Sequence, residues 1–258
     1  MGRCVLWQRG FKSVVLSTAD GQYRIWSRVV DGSHPLVFLP GVGAGVVPYI
    51  RWLDTFHDRS VYAIEVPNVS EMSSKMSYRQ AQPASIGLAF HSLGLTPGHI
   101  ALVAHSFGTI HAAMLIQELP VETIEHLVLM EPFCHPVHMS RAASCIYNTG
   151  PTETWVDHVL QSLVGRDLEI QTSSRLFSND QSILWQPEKC RSIMNIFCTD
   201  DVFLRGIYDD ALFSYLVDTG QQVRRVRGSN NAPLNARHQH LFLDFLEGDA
   251  FPHYKDTS

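Results

Sequence analysis

Three groups of residues carry the types and spacing that nucleophilic catalysis requires. Ser106 sits in "VAHSFG", at the end of an apolar run and just before a segment of helical character. Ala104-His105-Ser106-Phe107-Gly108 is one substitution from G-x-S-x-G, which lifts a serine onto a tight strand-to-helix turn. The small residues at 104 and 108 let the strand and helix backbones pass closely; alanine in place of glycine adds one methyl group. A hydroxyl is a weak nucleophile without a base, and the base needs an acid to orient it. On such a scaffold the chain order is serine, acid, histidine. Downstream, "IFCTDD" ends a strand with Asp200 and Asp201, and "ARHQHLF" places His238 and His240 where a loop meets a helix. Either acid could instead cap a helix.

A transition-state oxyanion would need backbone N–H donors. The helix after Ser106 supplies one set, with its positive dipole end. The second falls to the loop after strand Leu36–Leu39, Pro40-Gly41-Val42-Gly43-Ala44-Gly45. This loop is no phosphate cradle, because no Lys-Ser/Thr follows it. The spacing His238-x-His240 would suit a metal, but no third ligand is evident nearby, so no metal or cofactor is expected.

These residues need a sheet to hold them. Strand-like runs occur at Val14–Ser17, Tyr23–Val30, Leu36–Leu39, Val61–Val66, Ile100–Ala104, Leu127–Met130 and Ile193–Phe197, with a last one in "VRRVRG". Asp20-Gly21 favours a hairpin turn between the first two. Helical segments such as Gln80–Leu93 and Gly108–Leu119 lie between most of the others. That alternation predicts a parallel sheet covered on both faces, which is why its strands are continuously apolar. The rhythm stops between Phe133 and Lys189, read as a mostly helical insertion over the C-terminal edge of the sheet, where open α/β sheets bind ligands.

Composition removes several classes. The 258 residues are 45% hydrophobic and 17% charged, with a formal charge of −5. That suits one globular α/β domain and offers no basic footprint for nucleic acid. No apolar run is long enough for a membrane-spanning helix, and the first residues make a poor signal peptide. A cytoplasmic location is therefore expected. The five cysteines form no C-x-x-C pair and read as free thiols.

The segments "VFLPGVGAG", "VAHSFG", "LVLMEP", "IFCTDD" and "ARHQHLF" together resemble the α/β-hydrolase superfamily over most of the chain. The resemblance implies a mostly parallel eight-stranded sheet formed by residues 1–132 and 190–258, with a cap inserted at 133–189. It implies Ser106 as nucleophile, His238 as base and Asp201 as acid, with Val42 and Phe107 donating the oxyanion N–H groups. Asp200 and Glu131, the latter where some relatives keep their acid, are the alternative acids, and His240 is the alternative base. Met139, Trp155, Phe177 and Trp185 are candidates for an apolar pocket. His105 and His111 are expected to pack rather than react. Three positions depart from the family pattern: Pro40, Ala104 and Cys198. None of them removes a reacting group.

The activity so implied is hydrolysis of a small apolar carboxylic ester, thioester or lactone through an acyl-enzyme, and within the superfamily the chain is similar to lipase- or esterase-like proteins. Non-hydrolytic base chemistry on the same fold and a ligand-binding pseudoenzyme are the alternatives, because this fold supports many functions.

Overall fold

A computed structural model describes residues 2–42, 45–67, 83–135, 185–200, 210–228, 234, 239–247 and 254–257. The strands are β1 (Lys12–Ser17), β2 (Gln22–Arg28), β3 (Leu36–Leu39), β4 (Val61–Glu65), β5 (Ile100–His105), β6 (Ile124–Met130), β7 (Cys190–Cys198), β8 (Gln222–Val226) and β9 (Tyr254–Thr257). They form one sheet in the order β1-β2-β4-β3-β5-β6-β7-β8-β9. β1 and β2 pair antiparallel, as do β2 and β4, and every other pairing is parallel. The expected eight strands are thus present, and β9 extends the sheet at the β8 edge. The hairpin turn falls at Asp20-Gly21, where Thr18 N–H donates to Gly21 O at 2.8 Å.

The helices are α1 (Gly2–Gln8), α2 (Ile50–Leu53), α3 (Pro83–His91), α4 (Gly108–Glu118), α5 (Asp210–Asp218) and α6 (Gln239–Leu246). The two faces of the sheet explain the unbroken apolar strands. Val37, Leu39, Leu102, Ala104, Leu127 and Leu129 point into one core with α3 and α4. Their neighbours Leu36, Phe38, Ala101, Val103, Val128 and Met130 point into the other, with Trp52, Leu53 and Phe242. A period of two with both phases buried reads as a continuous hydrophobic run. Every residue of α4 from Gly108 to Ile116 is buried, so this helix lies inside the molecule.

Phe133, Cys134 and His135 are buried, and His135 stacks edge-on with Trp185, their ring centroids 5.4 Å apart. A buried polar chain continues from His135 Nε2 to Asn195 Oδ1 at 3.0 Å, and from Asn195 Nδ2 to Gln221 Oε1 at 3.0 Å. His135 is thereby joined to β7, and Trp185 packs on His135. Segment 136–184, with Met139, Trp155 and Phe177, lies outside the described residues. Among the described residues, Cys4, Cys134, Cys190 and Cys198 take part in no disulfide. No helix among the described residues is long and apolar enough to cross a membrane.

Candidate active site

Ser106 follows β5 directly and has φ of 52°, in the left-handed region that side chains other than glycine rarely enter. Such strain persists only where surrounding structure enforces it. Three contacts do so. Ser106 N–H donates to Met130 O at the end of β6 at 2.8 Å. Its carbonyl accepts from Thr109 N–H at 3.0 Å and from Thr109 Oγ1 at 2.6 Å, which starts α4 at once. Thr109 Oγ1 also accepts from Phe133 N–H at 2.8 Å, tying the turn to the chain after β6.

Gly108 shows why the turn needs a glycine. A Cβ there would stand 2.3 Å from Leu39 O and 2.6 Å from Pro40 O. The end of β3 therefore lies against the start of α4, and the loop after β3 passes beside the serine. Gly41 belongs to that loop, and a Cβ on it would meet Ser106 Cβ at 3.1 Å. Gly41 N–H donates to Tyr49 Oη at 3.1 Å, and the same oxygen is 2.9 Å from His105 Nδ1. Burial raises the Tyr49 pKa, so the phenol stays neutral between the loop and that imidazole. His105 thus braces the loop from behind the serine, in line with its expected packing role. At the far end of the loop, Val46 N–H donates to Glu65 Oε1 at 2.8 Å, and Glu65 Oε2 is 3.6 Å from Arg24 Nε. Tyr49 and Glu65 are positioning residues that motif reading did not single out.

Of the two expected oxyanion donors, Phe107 is buried and caps α4, and Val42 is half-buried in the loop after Gly41. The serine is also half-buried.

The strand ends continue the same edge. Glu131 follows β6 with φ of 50°, and its N–H donates to Ile196 O at 2.8 Å. Its buried carboxylate accepts from Cys198 N–H, the last residue of β7. Thr199 and Asp200 N–H donate to Val226 O and Gly228 O, each at 3.0 Å. Each strand exit from β5 to β8 is thereby pinned to its neighbour, and the chain leaves β7 toward Asp201 from a fixed point. Asp200 is exposed. Asp201 and His238 lie outside the described residues; His240 falls within α6, but its side chain is not described.

His111 lies within α4, fully buried, its ring 5.6 Å from that of Phe107. Burial pushes its pKa down to about 3. In the unfolded chain an imidazole protonates near pH 6.5, so between these values the unfolded form binds more protons. Stability should therefore fall as pH drops from about 6.5 toward 3, by up to about 1.4 kcal/mol per pH unit from this group. Urea unfolding of His111→Leu beside wild type checks this: whatever their difference at pH 7, it should shift in the variant's favour at pH 5.

No protein-family model and no curated protein matches the sequence. Solved structures do match, and they show that the chain has the α/β-hydrolase fold. One is carboxylesterase CesB from Bacillus subtilis, with 17% identity, TM-score 0.57, and coverage of 96% of this chain and 99% of that one. Esterase Pf2001 from Pyrococcus furiosus matches at 16% identity and TM-score 0.61, over 92% of this chain and 89% of its own. Haloalkane dehalogenase DatA from Agrobacterium tumefaciens matches at 12% identity and TM-score 0.62, over 92% and 97% respectively.

Proposed function

We propose that the protein is a serine hydrolase acting on a small apolar carboxylic ester, thioester or lactone. The observation that carries this reading is Ser106 at φ 52°, held between β5 and α4 with the Gly41 loop packed against it. In this reading His238 takes the Ser106 hydroxyl proton as Oγ attacks the carbonyl carbon. Asp201 orients the imidazole, and the N–H groups of Val42 and Phe107 receive the oxyanion. His238 then protonates the leaving group, and water hydrolyses the acyl-enzyme with the same histidine as base. The same reading assigns the role of a cap to segment 133–189. The esterases among the structural neighbours support the same reading.

Glu131 is the alternative acid, but its carboxylate already receives Cys198 N–H, which suits an anchor for the strand that delivers Asp201. A panel of acyl esters, thioesters and lactones tests the activity, with Asp201→Asn and Glu131→Gln compared on whichever substrate turns over. Asp201→Asn should lower kcat about 10⁴-fold. Glu131→Gln should act mainly on stability. The reverse pattern would make Glu131 the acid, and no turnover of any member would count against hydrolysis.

Tyr49→Phe should lower kcat about tenfold with KM little changed. It leaves the buried Gly41 N–H without its acceptor and loosens the loop that carries Val42. Steady-state kinetics on the same substrate check this, and a change confined to KM would contradict it.

A further inference from the structure

Three strands that neighbour one another, β3, β5 and β6, begin at the sheet edge opposite Ser106. His34 lies just before β3, His99 immediately before β5, and Glu125 is the second residue of β6. Ile100 pairs with Ile124 and Ala101 with His126, so Glu125 is the extra residue of a bulge. Bulges re-aim a side chain out of the ordinary alternation. Glu125 Oε2 lies 4.0 Å from His34 Nδ1 and 3.9 Å from His99 Nδ1. Its other oxygen, Oε1, is 3.4 Å from Arg191 Nη1. The two imidazoles meet edge to face with centroids 5.4 Å apart, and one donor atom from each of the three residues lies within 4.8 Å of the others.

We propose that His34, His99 and Glu125 form a binding site for a divalent transition-metal ion of the zinc class. Two imidazole nitrogens and one carboxylate oxygen suit zinc and its neighbours, whereas calcium and magnesium prefer all-oxygen shells. Zinc–nitrogen bonds of about 2.0 Å set tetrahedral donors about 3.3 Å apart, so each imidazole nitrogen needs to move by about 1 Å or less from its present place. The side chains are built for that adjustment. The histidines are 61% and 62% exposed and can swing, while Glu125, at 16%, is held in place with Arg191 at its other oxygen. Both histidines also line an open cleft of about 400 Å³, through which an ion and a completing water can enter. β5 separates this site from Ser106 by roughly 20 Å, so the ion would clamp three strand starts together rather than take part in acyl transfer. The proposal is independent of the function assigned to Ser106.

Calorimetric titration of the full chain with zinc chloride, after removal of bound metal with EDTA, tests it. His34→Ala and His99→Ala are titrated in parallel, and circular dichroism in EDTA confirms that the variants are folded. Wild type should bind with a Kd of about 1 μM or tighter, and its Tm should rise by several degrees with zinc. Each variant should lose one equivalent of zinc at that affinity, or bind it at least tenfold more weakly, and lose most of the Tm shift. Binding of undiminished affinity and stoichiometry in both variants would place the ion elsewhere and overturn the proposal, as would a wild type that binds no zinc.

Discussion

Ser106→Ala should lower turnover of any ester substrate by about 10⁴- to 10⁶-fold while leaving the Tm within a few degrees of wild type. Removal of the attacking oxygen leaves only binding and the backbone N–H donors, which account for the residual rate. The stability expectation has its own origin. Ser106 holds φ of 52°, and alanine keeps that strain, but the bonds to Met130 O and from Thr109 use only its backbone. A variant that stays folded and inactive would separate the chemical role of the hydroxyl from the structural role of the turn. Retention of more than a tenth of wild-type activity would show that another residue is the nucleophile.

Gly108→Ala should produce a large loss of stability for the addition of a single methyl group. The new Cβ would lie 2.3 Å from Leu39 O and 2.6 Å from Pro40 O, both main-chain atoms that no rotamer change can move aside. Relief requires α4 or the end of β3 to shift, and both are buried in the same core. Overpacking of this kind costs about 3 kcal/mol or more where backbone must move. The shift would also carry Ser106 and Gly41 apart, so activity should fall with stability. Equilibrium unfolding in urea reports the first effect and ester turnover the second. An unaltered Tm would mean that strand and helix do not approach as described.

How much of this was legible in the sequence follows from what each residue answers to. The parallel strands were readable because both their faces are buried, and the serine turn because its small residues stand at fixed spacing about the serine, although the close neighbour that requires Gly108 is the end of β3. β6 and β7 begin earlier than their apolar runs suggest, because Ile124–His126 and Cys190–Ser192 pair through backbone. Backbone pairing also explains β9: "YKDT" has no apolar pattern, and its place depends on β8. α2 is four residues long, too short for a periodic signal, and is held by burial of Trp52 and Leu53. Tyr49 and Glu65 act on the loop after β3 from positions that no motif links to it. The His34, His99 and Glu125 cluster has no sequence spacing at all, because sheet order alone assembles it.

The central claim is that Ser106 is an activated nucleophile, and labelling with a fluorophosphonate probe followed by peptide mapping tests it most directly. Wild type should carry the probe on Ser106, and labelling should disappear in both Ser106→Ala and His238→Ala. A folded wild type that takes up no probe, or a probe mapped to any other residue, would contradict the account.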